Sequence, residues 1–584
     1  MDNYAIADNF SLLAKLMDIH GDNSFKAKSY SSAAFTIEKL SSPLAEMPVE
    51  KIFSIRGIGD AIGKKIVEQL ETGQLSILNE YLAKTPPGIL EMMGIKGIGP
   101  KKIATIWKEL EIETLGELLY ACNENRLTLY KGFGEKTQKN IKEAIEFYMS
   151  NQGSYLYAEV IQHAERAQQM LKQTFPDEQW LLTGDLRRQM ETIDKIEWVT
   201  TTSAEKIIQQ LESILVKDVT VTTSDGKEIG NTVKEPYFEV LHSSPELLEI
   251  SAKGSAQNIL FRFYLSTKET FYSNLFRTSC SPEFLDAWTR EHSLAASFES
   301  EEAIFAAAGI QPIPAYLRED TARISEARQH QLPQVIQPED IKGIIHCHSN
   351  WSDGVHTLEY MAQSARSQNL QYLVISDHSK TAFYANGLNE ERIAAQHKQV
   401  DELNTKMTPF RIYKSIESDI LNDGSLDYAD EVLASFDIVI ASIHSNLKMT
   451  EEKAMMRLLK AIENPYTSIL GHMTGRLLLS RNGYPVDHRK IIDACAANDV
   501  VIELNAHPRR LDIDWRWIRY ALEKNVLISI DPDAHAIEGF ADCRYGVLAA
   551  QKAGLTPKQN LSSFSLEEFD AFLKKQQQKR EKNR

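Results

Sequence analysis

His346 and His348 stand either side of Cys347 at the end of the apolar run Gly343-Ile344-Ile345, with Asp353 just beyond. An apolar run ending in an imidazole or a carboxylate then recurs through the C-terminal half of the chain. His378 follows Tyr372-Leu373-Val374-Ile375-Ser376-Asp377, and Glu417 follows Ile412-Tyr413-Lys414-Ser415-Ile416. His444 follows Ile438-Val439-Ile440-Ala441-Ser442-Ile443, and His472 follows Ser468-Ile469-Leu470-Gly471. Asp533 and His535 come after Val526-Leu527-Ile528-Ser529-Ile530. Nine such side chains brought to one place could hold two or three divalent cations. Mixed imidazole and carboxylate ligation suits Zn2+ or Mn2+ better than Ca2+ or a thiophilic metal. The chemistry expected of such a centre is hydrolysis. The alternative is a set of unrelated polar groups, which the regular return at run ends disfavours.

The elements that must position these residues can be read from the same pattern. Short Val- and Ile-rich runs separated by longer helix-compatible stretches read as parallel strands of an α/β barrel. In such barrels chemistry gathers at the C-terminal ends of the strands, which is where the nine residues fall. Cys347 points away from its neighbours if its segment is a strand, so it is not counted as a ligand. Asp377, beside His378, is expected to orient an imidazole. Arg476 and Arg510 are candidates for gripping a phosphate, each equally readable as an ion-pair partner. His507, just past Val500-Val501-Ile502-Glu503-Leu504, lies on the same rim and could touch substrate.

At 584 residues the chain has room for several domains. Its composition, 43% hydrophobic and 25% charged, is ordinary for a globular protein. No apolar stretch is long enough to span a bilayer, and Met1-Asp2-Asn3-Tyr4 lacks the start of a signal peptide, so no membrane partner is expected. Five scattered cysteines with no Cys-x-x-Cys pair fit a reducing cytoplasm. A net charge of −16 argues against nucleic acid only bluntly, because a basic face can sit on an acidic body.

The first 150 residues read as short amphipathic helices joined by Gly-containing turns. Ile55-Arg56-Gly57-Ile58-Gly59-Asp60-Ala61-Ile62-Gly63-Lys64-Lys65-Ile66 resembles Ile95-Lys96-Gly97-Ile98-Gly99-Pro100-Lys101-Lys102-Ile103, with a looser copy at Tyr130-Lys131-Gly132-Phe133-Gly134-Glu135-Lys136-Thr137. Such a helix-hairpin-helix turn lets the backbone approach a phosphate and offers N–H groups at a helix start. Contacts of this kind ignore base sequence. Gly57, Gly59, Lys64, Lys65, Gly97, Gly99, Lys101 and Lys102 are therefore candidate DNA contacts, and the bland reading is a tight helix-helix turn. The Lys- and Gln-rich tail from Lys574 to Arg584 is expected to fray.

Tandem hairpins, a middle α/β segment and the nine-residue barrel together resemble the bacterial family X DNA polymerases, which fuse a polymerase core to a C-terminal PHP (polymerase and histidinol phosphatase) domain. The match is densest at His346-Cys347-His348-Ser349-Asn350-Trp351-Ser352-Asp353-Gly354, Asn386-Gly387-Leu388, Asp423-Gly424-Ser425-Leu426-Asp427-Tyr428, Thr474-Gly475-Arg476 and Arg510-Leu511-Asp512. The resemblance implies a helical domain with a hairpin over 1–90, a fingers-like domain with a second hairpin over 91–150, a palm-like domain over 151–235 and a thumb-like domain over 236–315. A linker over 316–340 and a PHP phosphoesterase domain over 341–575 complete it.

The resemblance also implies a ligand grouping: His346, His348, Glu417 and Asp533 for one metal, Glu417, His444 and His472 for a second, and Asp353, His378 and His535 for a third. With Asp377, the bridging ligand Glu417 and the second metal's His444 and His472 are the catalytic candidates, and the bond attacked would be a phosphoester.

The polymerase half departs from the family pattern. Gly184-Asp185-Leu186-Arg187-Arg188 carries Asp185 where a Ser is expected, Lys195 and Glu197 stand where aspartates should, and Leu260 replaces a third aspartate. Nucleotidyl transfer needs carboxylates that clamp Mg2+, so no Mg2+ is expected at this degenerate site. Lys65 matches the place of a lyase lysine in animal family X repair enzymes but reads more simply as a phosphate contact.

The function implied is a metal-dependent 3′-5′ exonuclease or related phosphodiesterase acting on gapped or 3′-ended duplex DNA in repair, as a monomer. The rivals are a gap-filling polymerase, a small-molecule phosphatase resembling histidinol phosphatase, and a non-catalytic DNA-end scaffold.

Overall fold

The structure, a computed structural model, describes residues 3–38, 40, 42–95, 97–149, 153–214, 216–222, 228–236, 238–252, 259–294 and 297–582. Lys96 of the second hairpin lies outside these residues. Contacts divide the chain into one compact body ending at Glu146 and a second beginning at Phe147. Among the described residues no helix is long and apolar enough to cross a membrane.

The first body is helical. Asn3–His20 packs against Ser24–Glu38 over Ile6, Phe10, Leu13, Met17 and Tyr30. Its hairpins share one local geometry. Gly57, Gly97 and Gly132 have φ of 93°, 96° and 96°, a left-handed conformation that disfavours any side chain. Ile58, Ile98 and Phe133, one residue on, are buried, and each donates its N–H to the carbonyl three residues back. Helices Asp60–Thr72, Pro100–Lys108 and Glu135–Met149 then begin directly after Gly59, Gly99 and Gly134.

The second body contains two sheets that matter for function. One has five strands in the order Trp180–Thr183, Lys195–Thr200, Leu260–Leu265, Leu247–Ala252, Phe238–Ser243. It therefore runs across the palm–thumb boundary expected at residue 235. Alternation sends Ile196 and Trp198 into a core, where Trp198 stacks on Phe263 at 5.3 Å, and turns Lys195 and Glu197 to the opposite face.

The other sheet is an all-parallel barrel of seven strands in sequence order: β1 (Gly343–Cys347), β2 (Tyr372–Ile375), β3 (Arg411–Asp419), β4 (Ile438–Ser442), β5 (Ile469–Leu470), β6 (Val501–Asn505) and β7 (Ile528–Asp531). A parallel bridge from Cys347 to Ala534 brings the last strand back to the first. Both faces of the strands are covered, which is why they read as continuous apolar runs. Ile344, Leu373 and Ile412 face the surrounding helices, while Ile345, Val374, Tyr413, Ile438, Ile440, Ile469 and Val501 fill the interior.

Two expectations from the sequence do not hold. The tail is helical from Leu566 to Lys582, and its Phe569 and Phe572 join the barrel interior, with Tyr372 stacked on Phe569 at 4.4 Å. Lys579 and Arg580 donate to the carbonyls of Thr467, Phe436 and Asp437 at the N-terminal ends of the strands. Few apolar residues suffice to dock a charged helix when its cations find carbonyls. Residues 316–340 are not a loose linker. They carry the helix Ala322–Arg328, and Leu317, Ile324, Ala327 and Ile336 are buried. Pro338 there begins the short helix Pro338–Asp340.

Candidate metal centre

Each of the nine ligand-type residues lies at or just past a strand end, on the C-terminal rim of the barrel. Glu417, near the end of β3, is where they meet. Its Oε1 is 3.3 Å from His346 Nε2, 3.0 Å from His444 Nε2 and 3.0 Å from His472 Nε2. Its Oε2 is 3.0 Å from His378 Nδ1 and 3.7 Å from His348 Nε2. Asp533 Oδ1 lies 3.1 Å from His348 Nε2 and 3.5 Å from His346 Nε2. Asp353 is 3.6 Å from His378 and 3.4 Å from His535.

Among the described residues of the barrel, three clusters have ligand atoms mutually close enough to share an ion: His346, His348, Glu417 and Asp533; His378, Glu417 and His444; and His348, Asp353, His378 and His535. The first matches the grouping implied by the resemblance. The second has His378 beside Glu417 and His444 where His472 was expected, and the third adds His348.

The polar atoms here fit divalent cations better than they fit one another. His346 Nε2, His348 Nδ1, both ring nitrogens of His378, Asp353 Oδ2, Glu417 Oε2 and His472 Nδ1 are buried and make no hydrogen bond. Buried polar atoms are nearly always satisfied, and so dense a group without partners is an arrangement that positive ions would complete. Burial would raise the carboxyl of Glu417, but His444, His346 and His378 hold it well below the usual carboxylate range. Burial, with His535 and His378 nearby, pushes His348 down to about 3. His348 and Glu417 are thus held in the forms that ligate, whereas the surrounding carboxylates raise the imidazoles of His346 and His444.

Residues beyond the nine fix the rings. Glu503 of β6 is fully buried, its Oε1 lies 2.6 Å from His346 Nδ1, and its Oε2 accepts the backbone N–H of His472 at 2.6 Å. Asp419 pairs with His444 Nδ1, and Asn505 donates to Asp533 at 3.0 Å. Reading single residues at run ends misses these supports. Glu503 is nonetheless a carboxylate inside an apolar strand, and Asp419 is two residues past Glu417 and so on the same face of β3.

Asp377 does not orient His378. It accepts from Ser349 N–H and Oγ at 2.8 Å each, Ser352 Oγ at 2.5 Å and Gln396 Nε2 at 2.6 Å, fixing the loop that carries Asp353. Beside Asp377 in sequence, His378 turns toward Glu417 while Asp377 faces the neighbouring loop. Arg476 is a structural ion-pair partner: it donates to the carbonyls of Arg510 and Leu511, to Asp514 at 2.7 Å and to Glu191. Arg510 lies at the centre, its Nε 3.8 Å from Asp533 Oδ2. His507 is beside it, pushed down to about 3 by burial and by Arg510.

The five-stranded sheet arranges the other candidates differently. Lys195 pairs in register with Leu260, and its Nζ is 4.0 Å from Glu197. Glu197 also accepts from Tyr264 at 2.9 Å and lies 3.7 Å from Arg262. Asp185 pairs with Arg188 at 2.5 Å, and Asp194 accepts from Ser154 at 2.7 Å. Glu197, the one carboxylate in register with the aspartate positions, is thus enclosed by two cations and a phenol.

In the hairpins Gly59 and Gly99 have ordinary negative φ, and an added Cβ at either would meet nothing. Neither backbone conformation nor internal packing accounts for glycine there. Lys64 and Lys101 are exposed, while Lys65 and Lys102 are half-buried and Lys102 Nζ donates to Gly97 O at 3.3 Å.

Comparison with known proteins agrees with this picture. A helix-hairpin-helix domain model matches residues 1–75, and a SAM-like helix-hairpin-helix tandem model matches residues 89–146. The DNA polymerase/3′-5′ exonuclease PolX of Bacillus subtilis is 32% identical over 96% of this chain and 98% of its own length. A probable phosphatase of Caldanaerobacter subterraneus is 26% identical over 28% of this chain and 62% of its own length. One from Thermoanaerobacter is 24% identical over 37% of this chain and 89% of its own length. With its paired hairpins, its mixed sheet and its parallel barrel, the chain belongs to the bacterial family X DNA polymerases that carry a PHP domain.

Proposed function

We propose that this chain is a metal-dependent 3′-5′ exonuclease that trims DNA ends in repair, with the barrel centre cutting and the hairpins holding the duplex. The observation that carries the reading is Glu417, within 3.3 Å of imidazoles from four separate strand ends. Two or three Mn2+ or Zn2+ ions bound there would supply an activated water and charge stabilisation for phosphodiester hydrolysis.

The chain's own residues do the rest. Glu503 and Asp419 lie against Nδ1 of His346 and His444, so that an ion held at Glu417 would meet the Nε2 atom of each ring. Arg510, next to Asp533, is placed to grip a phosphate. Glycines at 59 and 99 with open space around them suit a DNA backbone coming close to the helix starts.

The name of the Bacillus relative carries a polymerase activity as well. For this chain the surroundings of Glu197, with Lys195 and Arg262 close and Leu260 in register, favour a sheet that supports DNA handling without nucleotidyl transfer. A purely small-molecule phosphatase would leave the hairpins without a role.

Incubation of a gapped, end-labelled duplex with Mn2+ tests the reading. Shortening of the strand from its 3′ end is expected, abolished by Glu417→Ala and retained by Glu197→Ala. Digestion that persists in Glu417→Ala rejects the assigned centre, and dNTP-dependent lengthening lost in Glu197→Ala selects the polymerase instead.

A further inference from the structure

We infer that Thr381 is a positioning residue of the metal centre, its hydroxyl fixing the Asp419 carboxylate that orients His444. It thereby sets how tightly an ion shared by His378, Glu417 and His444 is held. The inference rests on the metal-dependent reading above and adds to it a residue that acts through another.

The contacts run without a gap from the centre outward. His444 Nε2 lies 3.0 Å from Glu417 Oε1, and its Nδ1 pairs with Oδ1 of Asp419. The other oxygen, Asp419 Oδ2, lies 2.8 Å from Thr381 Oγ1. The terminal torsion of an aspartate is broad, so a carboxylate held by one oxygen alone can turn. A bond at Oδ2 removes that freedom and fixes the partner of the imidazole. Such partners set ring orientation and ligand strength.

Two carboxylates compete for the Thr381 hydroxyl, which has a single proton to give. Asp427 Oδ2 is also 2.8 Å from Thr381 Oγ1. Donor supply decides between them, because Asp427 already accepts the Thr381 backbone N–H at 2.7 Å and a bond from the Ser379 hydroxyl. Burial, with Asp419 beside it, raises the carboxyl of Asp427, which weakens its claim on that proton. The hydroxyl proton is therefore left for Asp419.

The surrounding loop keeps Thr381 in place. Ser379 N–H donates to Glu417 O at 3.1 Å, Ser379 Oγ accepts the Asp419 N–H at 2.9 Å, and Lys380 N–H donates to the Tyr428 hydroxyl at 3.0 Å. His378 Nδ1 is itself 3.0 Å from Glu417 Oε2. His378, Ser379 and Thr381 are thus all tied to the end of β3. Asp419 and Asp427 are buried, whereas Thr381 is exposed, so its hydroxyl can be removed without opening the core.

The test is Mn2+ titration of the metal-stripped full chain, read by the electron paramagnetic resonance of free Mn2+, for the parent, Thr381→Val and Thr381→Ser. Valine keeps the side-chain shape and the backbone N–H and loses the hydroxyl. Thr381→Val is expected to bind one ion about tenfold more weakly and the others as the parent does, while Thr381→Ser binds all of them like the parent. Melting of the three metal-free chains should coincide. Parental affinity in Thr381→Val, an equal loss in Thr381→Ser, or a loss accompanied by lower melting of the metal-free chain overturns the inference. Digestion of a 3′-ended duplex is scored separately at saturating Mn2+. A parent that binds its ions with the expected difference from Thr381→Val and shortens no strand defeats the nuclease reading and supports the role of Thr381. A parent that binds no Mn2+ overturns both.

Discussion

Nδ1 of His346 lies 2.6 Å from Oε1 of Glu503, and the other oxygen of that carboxylate accepts the backbone N–H of His472. One buried side chain on β6 therefore fixes residues from β1 and from just past β5 that both approach Oε1 of Glu417. Partners of this kind set the tautomer and basicity of a ligating imidazole. Glu503→Gln should weaken metal binding about 10–100-fold while the protein stays folded, read by titration of the metal-stripped chain with Mn2+. Unchanged affinity would reduce Glu503 to a packing residue.

Arg476 gives a contrasting expectation. It is held by Glu191, Asp514 and two carbonyls, so its guanidinium joins the segment around residue 191 to the barrel rim. Removing Arg476 leaves the buried Glu191 with only the more distant Arg516, 3.7 Å away, at a cost of up to about 3–5 kcal/mol. Arg476→Met should therefore lower the unfolding midpoint markedly. A rise in KM with no change in melting would restore the phosphate-gripping role.

Glu301 supplies a pH dependence away from the metal centre. Burial would raise its carboxyl, but Arg187 and Arg318, at 2.7 and 2.8 Å, hold it down at about 2. The folded value is lower than the unfolded one, so this stabilisation is fully present above about pH 4.5 and is lost as pH falls toward 2. It amounts to roughly 3 kcal/mol. Urea midpoints for the parent should fall over that window, and Glu301→Gln should be weaker at pH 7 and flatter with pH. Parallel curves for the two proteins would contradict the assignment.

The hairpin glycines separate a structural from a binding role. At Gly59 and Gly99 alanine meets no neighbour and keeps an allowed φ. Its poorer helix cap and its lower unfolded-state entropy roughly cancel. Gly59→Ala with Gly99→Ala should leave the melting temperature nearly unchanged and weaken gapped-duplex binding about tenfold, measured by fluorescence anisotropy at fixed salt. A large drop in melting temperature with binding intact would make these turns purely structural.

Much of the barrel is legible in the sequence because parallel strands buried on both faces must be continuous apolar runs. The polar residue closing each run marks the rim, and that is how residues as distant as His346 and His535 can be grouped before any contact is known. Side-chain direction within the rim is not legible. Asp377 and His378 are adjacent, yet one faces the Ser349–Ser352 loop and the other Glu417. Arg476 looks like a phosphate ligand until its partners Glu191 and Asp514, distant in sequence, are seen. The C-terminal helix is hidden for a different reason: it docks through Phe569, Phe572 and cation-to-carbonyl contacts, which leave a mostly charged segment with little apolar signal.

Metal content measured on the purified, chelator-washed and Mn2+-reloaded chain bears most directly on the barrel centre. Two or three tightly held ions per chain are expected, falling by at least one in Glu417→Ala and unchanged in Glu197→Ala. An unaltered chain that retains no ion, or a Glu417→Ala chain with the full complement, would contradict it.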